Sequence, residues 1–236
     1  MEFIYINTPK TAGTFTKRRI VEQNKNVHII QGHSRCISDD FIFNAYPNNE
    51  YYKSRKWWGV DLTKQPIFND AIKFTTLRNP YDLLASYFIS RWGDYDEGMK
   101  VKLPRMGFNQ LIKEFFNTDK DWHVPFFREF LYFQFFDEEG NSRCDYGIIY
   151  DTLDDGLNEF TKKYNLTYKR GGLENKTSQK KKNYKEYYNQ ESIDLIAEKC
   201  KLELEMFDFD FDGFKGKEKI VNLSDLKIDW NKILKK

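Results

Sequence analysis

The sequence predicts an α/β protein in which a central parallel sheet is flanked by helices on both faces. Short runs of β-branched and aromatic residues alternate along the chain with longer segments whose apolar residues recur at helical spacing. Parallel strands need crossover connections, and an alternating order of strands and helices supplies them. With 236 residues, the chain is long enough for one sizeable core and fits one domain better than two.

The individual elements follow from this periodicity and from the turn residues between the runs. Residues 93–106 contain two glycines and mixed charges, which is typical of a mobile loop. Strands are expected at 2–7, 27–31, 57–60, 72–77 and 146–150, and helices at 14–23, 80–92, 107–117, 125–136, 153–163 and 189–206.

The C-terminal residues continue past this regular alternation. A short strand at 219–223 precedes a basic helix, which Ser224 or Asp225 would cap. We therefore expect 216–236 to be a C-terminal extension of one domain that spans 1–236.

Composition and charge argue against several classes of protein. The net charge of +2 does not favour a nucleic-acid-binding protein. No apolar stretch approaches the roughly 20 residues of a membrane helix, and no signal peptide precedes the first strand. Cys36, Cys144 and Cys200 form neither a metal pattern nor a disulfide framework, so we expect reduced thiols. These features predict a cytoplasmic protein without a nucleic-acid partner.

The most informative stretch is a strand that ends in a loop of small residues with a lysine in it. After the apolar strand, Asn-Thr-Pro-Lys-Thr-Ala-Gly-Thr occupies 7–14 and leads into a helical segment. Unpaired backbone N–H groups and the helix dipole make such a loop suitable for a phosphate. From these residues alone, an ordinary strand-to-helix turn with a solvated lysine is an equal alternative.

A second strand–loop–helix unit has the same character. The strand at 72–77 leads to Arg78, Pro80 occupies the first helical position, and Ser86 follows Arg78 by eight residues. An arginine at the end of a strand can bind a phosphate bidentately, and a serine hydroxyl can complete the site. The two units together predict a ligand with phosphates at two separated places.

These two units resemble the cofactor-binding motifs of sulfotransferases that use 3′-phosphoadenosine 5′-phosphosulfate (PAPS). Pro-Lys-Thr-Ala-Gly-Thr at 9–14 is similar to the 5′-phosphosulfate loop of that family. Arg78-Asn-Pro-Tyr-Asp-Leu-Leu-Ala-Ser86 is similar to its 3′-phosphate motif, with the same separation of arginine and serine.

Two further segments resemble the heparan sulfate 2-O-sulfotransferase-like branch, which acts on carbohydrates. Gly32-His33 is similar to the Gly-His element of that branch. Glu-Asn-Lys-Thr-Ser at 174–178, Tyr-Tyr at 187–188 and a helix that ends near 206–208 are similar to its C-terminal part. The resemblance covers most of residues 3–214, with the motifs in the family's order.

The resemblance implies a P-loop-like sulfotransferase fold and transfer of a sulfuryl group from PAPS to an acceptor hydroxyl. The bisphosphate product is adenosine 3′,5′-bisphosphate (PAP), and the reaction requires no metal. Lys10 would stabilise the leaving phosphate, because negative charge develops there during in-line displacement. The residues assigned to the cofactor are Lys10, Thr11, Ala12, Gly13, Thr14, Phe15, Arg78, Ser86, Lys176 and Thr177.

The acceptor hydroxyl also needs a base, and the resemblance favours His33. An imidazole whose pKa lies near neutrality suits this role, although a purely structural histidine is the alternative. His123 is a reserve candidate, and Asp61 is a less favoured one. Phe15 departs from the family, many members of which have serine or threonine there. Its backbone N–H remains available, so we expect weaker cofactor binding and an unchanged fold.

The acceptor is expected by resemblance to be a carbohydrate, with a glycolipid, a small alcohol or a tyrosine as alternatives. Basic residues would suit an anionic acceptor, although a solvated surface is the alternative for the basic run at 176–185. Two other functions use similar phosphate loops: a P-loop nucleotide or small-molecule kinase, and a non-catalytic nucleotide-binding module. The kinase loop places its lysine after the second glycine, whereas Lys10 precedes Gly13. The oligomeric state is not predicted by the sequence. The basic residues that would suit an anionic acceptor are Arg91, Lys100, Lys102, Arg105, Lys180, Lys181 and Lys182.

Overall fold

The computed structural model describes residues 1–29, 34–38, 40–41, 44, 60–92, 107–117, 130–170 and 183–234. Predictions for residues 30–33, 57–59, 93–106, 125–129 and 171–182 therefore lie outside the described part of the chain. Within that part, no helix is both long enough and apolar enough to cross a membrane.

The described elements alternate between strands and helices, as the sequence predicts. The strands are β1 (Phe3–Tyr5), β2 (Val27–Ile29), β3 (Ser34–Arg35), β4 (Val60–Asp61), β5 (Ile72–Leu77), β6 (Tyr146–Ile149), β7 (Phe209–Asp210), β8 (Gly213–Phe214) and β9 (Ile220–Asn222). The helices are α1 (Gly13–Arg19), α2 (Pro80–Trp92), α3 (Phe108–Asn117), α4 (Leu153–Lys163), α5 (Gln190–Lys199), α6 (Lys201–Met206) and α7 (Trp230–Ile233). Short 3₁₀ turns occur at Val21–Gln23, Leu62–Lys64, Phe133–Phe135, Tyr150–Thr152 and Tyr184–Tyr187.

The central sheet has five strands in the order β2-β1-β5-β6-β9. The first three neighbouring pairs are parallel, and β9 pairs with β6 in the antiparallel direction. The predicted α/β architecture is thus confirmed with a mostly parallel sheet. The C-terminal residues 216–236 contribute β9 to one edge of this sheet, and the Trp230 indole N–H donates to the Asp137 carbonyl at 2.7 Å.

Strand alternation distributes the apolar residues of β1 over two cores. Ile4 belongs to the larger core, which also takes the apolar faces of α2, α3 and α5. Phe3 and Tyr5 belong to the smaller core, with apolar residues of α1 and α4. Because successive strand side chains point to opposite faces, this division shows that helices cover both sides of the sheet.

Helix α4 illustrates why the periodic segments were predictable. Leu153, Leu157 and Phe160 lie three and four residues apart and are buried in the smaller core. Acidic residues occupy the first turn of this helix and basic residues its last turn, which complements the helix dipole.

Three predicted helices differ in the structure. The helix expected at 14–23 ends at Arg19, and a 3₁₀ turn follows the fully buried Ile20. The helix expected at 189–206 is interrupted at Cys200. The described part of the helix expected at 125–136 is a turn followed by a single 3₁₀ turn, so this prediction is wrong there. Aromatic residues in 130–136 are buried on every side, which a one-sided helical stripe does not allow.

The predicted capping of the C-terminal helix is also wrong. The helix begins at Trp230, and the Asp229 side chain accepts a hydrogen bond from the Asn231 backbone. The Ser224 backbone N–H and hydroxyl instead donate to the Asn222 side chain, at 3.0 and 2.8 Å. These contacts form the turn that ends β9, so a serine that favours turns was misassigned as a cap.

Candidate functional site

Three neighbouring strands of the sheet end side by side, and each is followed by a residue or loop of the candidate site. Strand β1 leads into residues 8–13, which we call the 8–13 loop; β5 leads into Arg78, and β6 leads into Tyr150. Because β1, β5 and β6 are parallel neighbours, their carboxyl ends share one edge of the sheet. Ligands of open α/β sheets bind at this edge.

Arg78 joins the two predicted phosphate motifs directly. Its Nη1 donates to the Lys10 carbonyl oxygen at 2.7 Å, and its Nε donates to Asp82 Oδ2 at 2.6 Å. The guanidinium also lies 4.2 Å from the centre of the Tyr150 ring. The whole residue is only 4% exposed. Within the described residues Nη2 donates to no acceptor, so part of the guanidinium fork remains available.

The backbone of Arg78 is held as firmly as its side chain. Its N–H donates to the Tyr132 hydroxyl at 2.8 Å, and that hydroxyl donates in turn to the Arg78 carbonyl. Tyr132 is buried, which raises the pKa of its phenol, so the hydroxyl retains its proton. The adjacent Asn79 accepts from the Tyr81 backbone at 3.0 Å at the beginning of α2 and donates to the Asp210 carbonyl at 2.6 Å.

The 8–13 loop has an unusual backbone for a segment with side chains. Lys10 and Ala12 adopt left-handed conformations, with φ of 58° and 68°. For residues other than glycine such conformations cost about 1–2 kcal/mol each, so surrounding contacts must maintain them. The loop carbonyls of Thr8, Lys10 and Thr11 all accept side-chain hydrogen bonds.

The backbone N–H groups of this segment contrast with its carbonyls. From Thr11 to Phe15, five successive N–H groups have no hydrogen-bond acceptor among the described residues. Runs of free amides in tight turns form concave sites for anions. The Thr14 side chain is exposed, whereas the Phe15 ring is 5% exposed and packs in the smaller core.

Gly13 has a steric reason to lack a side chain. A Cβ atom at this position would overlap the side-chain oxygen of Asn7, the last residue before the loop. The glycine therefore lets the Asn7 side chain pack directly against the beginning of α1.

Ser86 lies six residues after the first residue of α2, roughly 9 Å along the helix axis. It is 8% exposed. Side chains of a helix lean toward its N-terminus, which is the end that carries Arg78. The structure thus puts Ser86 on the helix that begins beside Arg78.

Several predicted site residues lie outside the described part of the chain. These are the candidate bases His33 and His123, the cofactor residues Lys176 and Thr177, and the basic residues Lys100, Lys102, Arg105, Lys180, Lys181 and Lys182.

Asp61, the less favoured base, occupies a structural position. Its Oδ1 accepts from the Thr63 backbone at 3.1 Å and hydroxyl at 2.6 Å, and the Lys64 ammonium lies 3.2 Å from Oδ2. Burial tends to raise its pKa, but the hydrogen bonds from Thr63 and Lys64 outweigh burial and lower the pKa. A carboxylate with a lowered pKa that caps a turn is a poor general base.

Sequence reasoning missed four residues that organise this site: Tyr5, Asp82, Tyr132 and Tyr150. Asp82 had a usable signal, because it follows Arg78 by four residues, the spacing of an ion pair on a helix. Tyr150 had a weaker one, since it is the last residue of the strand predicted at 146–150. Tyr5 and Tyr132 gave none, because a buried tyrosine in an apolar run resembles any other core residue.

The three cysteines are free and buried, and burial raises the pKa of each thiol. In the described segments, no group of three or more His, Cys, Asp or Glu side chains is arranged to hold a metal ion.

Fold and site together define an α/β protein with a mostly parallel five-stranded sheet, at whose carboxyl edge the 8–13 loop meets a buried arginine. No protein-family model, curated protein or solved structure matches this chain.

Proposed function

We propose that this protein is a PAPS-dependent sulfotransferase that transfers a sulfuryl group to an acceptor hydroxyl, expected to belong to a carbohydrate. The contact between Arg78 and the Lys10 carbonyl carries the proposal. It brings two motifs that resemble the 3′- and 5′-phosphate sites of one donor to the same edge of the sheet. A donor with phosphates at two places needs that arrangement.

The free backbone N–H groups of residues 11–15 support the proposed 5′-phosphate site. Five donors without an acceptor among the described residues suit the oxygens of a phosphate, and the exposed Thr14 hydroxyl adds a sixth. Phe15 takes part through its backbone only, because its ring is packed in the core. This division explains how the chain can tolerate the loss of the family's hydroxyl at this position.

Arg78 and Ser86 are proposed for the 3′-phosphate. Nη2 of Arg78 has no described acceptor, so it can donate to a phosphate oxygen while Nε stays paired with Asp82. Ser86 would add a hydroxyl donor, and the resemblance adds Lys176 and Thr177.

Lys10 and His33 are proposed for the chemical step. The acceptor oxygen forms a bond to sulfur while the bond between sulfur and the bridging phosphate oxygen breaks. His33 takes the proton from the acceptor hydroxyl. The Lys10 ammonium stabilises the charge that develops on the departing phosphate. This scheme needs no metal, because Lys10 stabilises the departing phosphate and His33 takes the acceptor proton.

The decisive experiment measures transfer of labelled sulfate from PAPS to a panel of glycans and small alcohols, in the presence of a chelator. Transfer in that mixture supports the proposal. PAP binding without transfer to any acceptor would favour a non-catalytic nucleotide-binding module. Magnesium-dependent phosphoryl transfer from ATP would identify a kinase. Absence of both PAP binding and transfer would overturn the proposal.

A further inference from the structure

A group of buried hydroxyls links the 8–13 loop to strands β1 and β5 beneath it. Tyr5, Thr11 and Thr76 are 0% exposed, and Thr8 is 2% exposed. The Tyr5 hydroxyl lies 3.3 Å from the Thr11 carbonyl oxygen and 3.1 Å from Thr76 Oγ1. The Thr8 and Thr11 hydroxyl oxygens are 2.5 Å apart, and Thr11 Oγ1 lies 3.0 Å from the Thr8 carbonyl oxygen.

The direction of each hydrogen bond in this group follows from counting protons. Carbonyl oxygens can only accept, so the Thr11 hydroxyl donates to Thr8 and the Tyr5 hydroxyl donates to the Thr11 carbonyl. Each hydroxyl has one proton, so the Thr8 hydroxyl must donate to Thr11, and the Thr76 hydroxyl must donate to Tyr5. Burial raises the pKa of Tyr5, so its hydroxyl keeps the proton that this arrangement requires.

The Tyr5 contact determines where the next backbone N–H points. Within the described residues no peptide bond is cis, and in a trans peptide the C=O and the following N–H point in opposite directions. The Thr11 carbonyl points inward to Tyr5, so the Ala12 N–H points outward, away from the core. Ala12 is also one of the two left-handed residues of the loop.

We propose that Tyr5 is a positioning residue for the anion site. Its hydroxyl holds the Thr11 carbonyl inward and thereby directs the Ala12 N–H toward the ligand. The identity of that ligand rests on the proposed function, whereas the effect of Tyr5 on the Thr11–Ala12 peptide does not. Tyr5 touches no reacting atom in this scheme and acts through the loop.

Tyr5→Phe tests the proposal because it removes one oxygen and keeps the ring, which packs 5.3 Å from Phe74. Thr161→Val is the matched control: it removes a hydroxyl of similar burial that donates to the Leu157 carbonyl at 3.0 Å within α4. Nuclear magnetic resonance of ligand-free protein should show a positive φ at Ala12 in the wild type and in Thr161→Val, and its loss in Tyr5→Phe.

Binding of PAP provides a second readout. Loss of a correctly directed donor should weaken affinity about ten-fold in folded Tyr5→Phe, as expected for one hydrogen bond. Thr161→Val should match the wild type, although thermal unfolding of both variants shifts to lower temperature. A merely structural role for Tyr5 would lower thermal stability in the same way and leave the affinity of the folded protein unchanged.

The possible results separate the two proposals. An unchanged Ala12 backbone in Tyr5→Phe overturns the role of Tyr5, whatever the loop binds. If wild-type protein fails to bind PAP while the Ala12 backbone changes in the variant, the proposed function fails and the positioning role stands. If Tyr5→Phe does not fold, a measurement on the wild-type protein tests the role of Tyr5 instead. A slowly exchanging Tyr5 hydroxyl proton close to Thr11 supports the role, and its absence overturns it.

Discussion

The Arg78 guanidinium donates from Nη1 to the Lys10 carbonyl oxygen at 2.7 Å, although the two residues are 68 positions apart in the chain. One arginine thus contacts both motifs that were predicted to bind phosphate. Its pairing with Asp82 is almost fully buried, with side-chain exposures of 5% and 7%. Any change at Arg78 should therefore affect the loop, the helix and the proposed 3′-phosphate together.

Arg78→Ala should weaken PAP binding by about 1.5–3 kcal/mol, the contribution of a hydrogen bond to a charged group. It should also lower the free energy of unfolding by about 3–5 kcal/mol, because the buried ion pair between Arg78 and Asp82 is broken. Calorimetry and chemical denaturation measure the two effects. Arg143→Ala is the control, since this half-exposed arginine contacts Phe68 and not the loop. Equal PAP affinity in wild type and Arg78→Ala would show that Arg78 does not bind the 3′-phosphate.

Lys10→Ala should abolish sulfuryl transfer while the protein remains folded. Removal of one group that stabilises developing charge typically lowers turnover by about 10²–10³. Initial rates with labelled PAPS at saturating donor give the comparison. Lys17→Ala, on the exposed side of α1, controls for the loss of a nearby charge. Turnover in Lys10→Ala within a few-fold of wild type would show that Lys10 has another role.

His33→Ala should reduce turnover far more than PAP affinity. A general base acts on the acceptor proton and makes no contribution to donor binding, and it typically contributes about 10²–10⁴ to the rate. Separate measurements of turnover and of the PAP dissociation constant test this difference. His28→Ala serves as control, because this half-buried histidine pairs with Glu2 at 2.6 Å on strand β2. Comparable losses in turnover and affinity would identify His33 as a structural residue.

Glu203 should make the stability of the protein depend on pH. It is 0% exposed, and its Oε1 accepts from the Leu131 backbone at 2.7 Å, while Oε2 has no partner within the described residues. Burial raises its pKa from an ordinary 4.5 to about 7. The folded protein therefore binds more protons than the unfolded chain between these two values. The contribution of Glu203 to the free energy of unfolding is fully present below pH 4.5 and is lost as the pH rises through about 7.

Glu203→Gln should remove this dependence, because the amide does not ionise. Between pH 4.5 and pH 8, the wild type should lose on the order of 3 kcal/mol of its free energy of unfolding through this group. The variant should not show this loss. Denaturation curves across this range give the comparison. Glu205→Gln, an exposed residue of the same helix, should behave as the wild type does. Parallel pH profiles for wild type and Glu203→Gln would contradict the prediction.

Local pattern predicted the elements that contact the core through one face. Pro80 and the apolar spacing that follows it predicted α2 correctly, and Leu153, Leu157 and Phe160 predicted α4. The pattern failed at 130–136, where aromatic residues are buried on every side and no single face identifies the structure. It also missed the antiparallel direction of β9, because a strand's own residues do not encode the direction of its neighbour.

The amino-acid sequence by itself determined the chemistry available at the site: a lysine in a small-residue loop, and an arginine and a serine eight residues apart. It also determined that each motif follows a strand, since periodicity and turn residues are local properties. Only the tertiary structure decided that Arg78 meets the Lys10 carbonyl and that Tyr5 meets the Thr11 carbonyl. Arg78 reaches Lys10 because β1 lies beside β5, and strand order depends on how the whole chain packs its two cores. Tyr5 reaches the Thr11 carbonyl because the loop turns back over the end of β1.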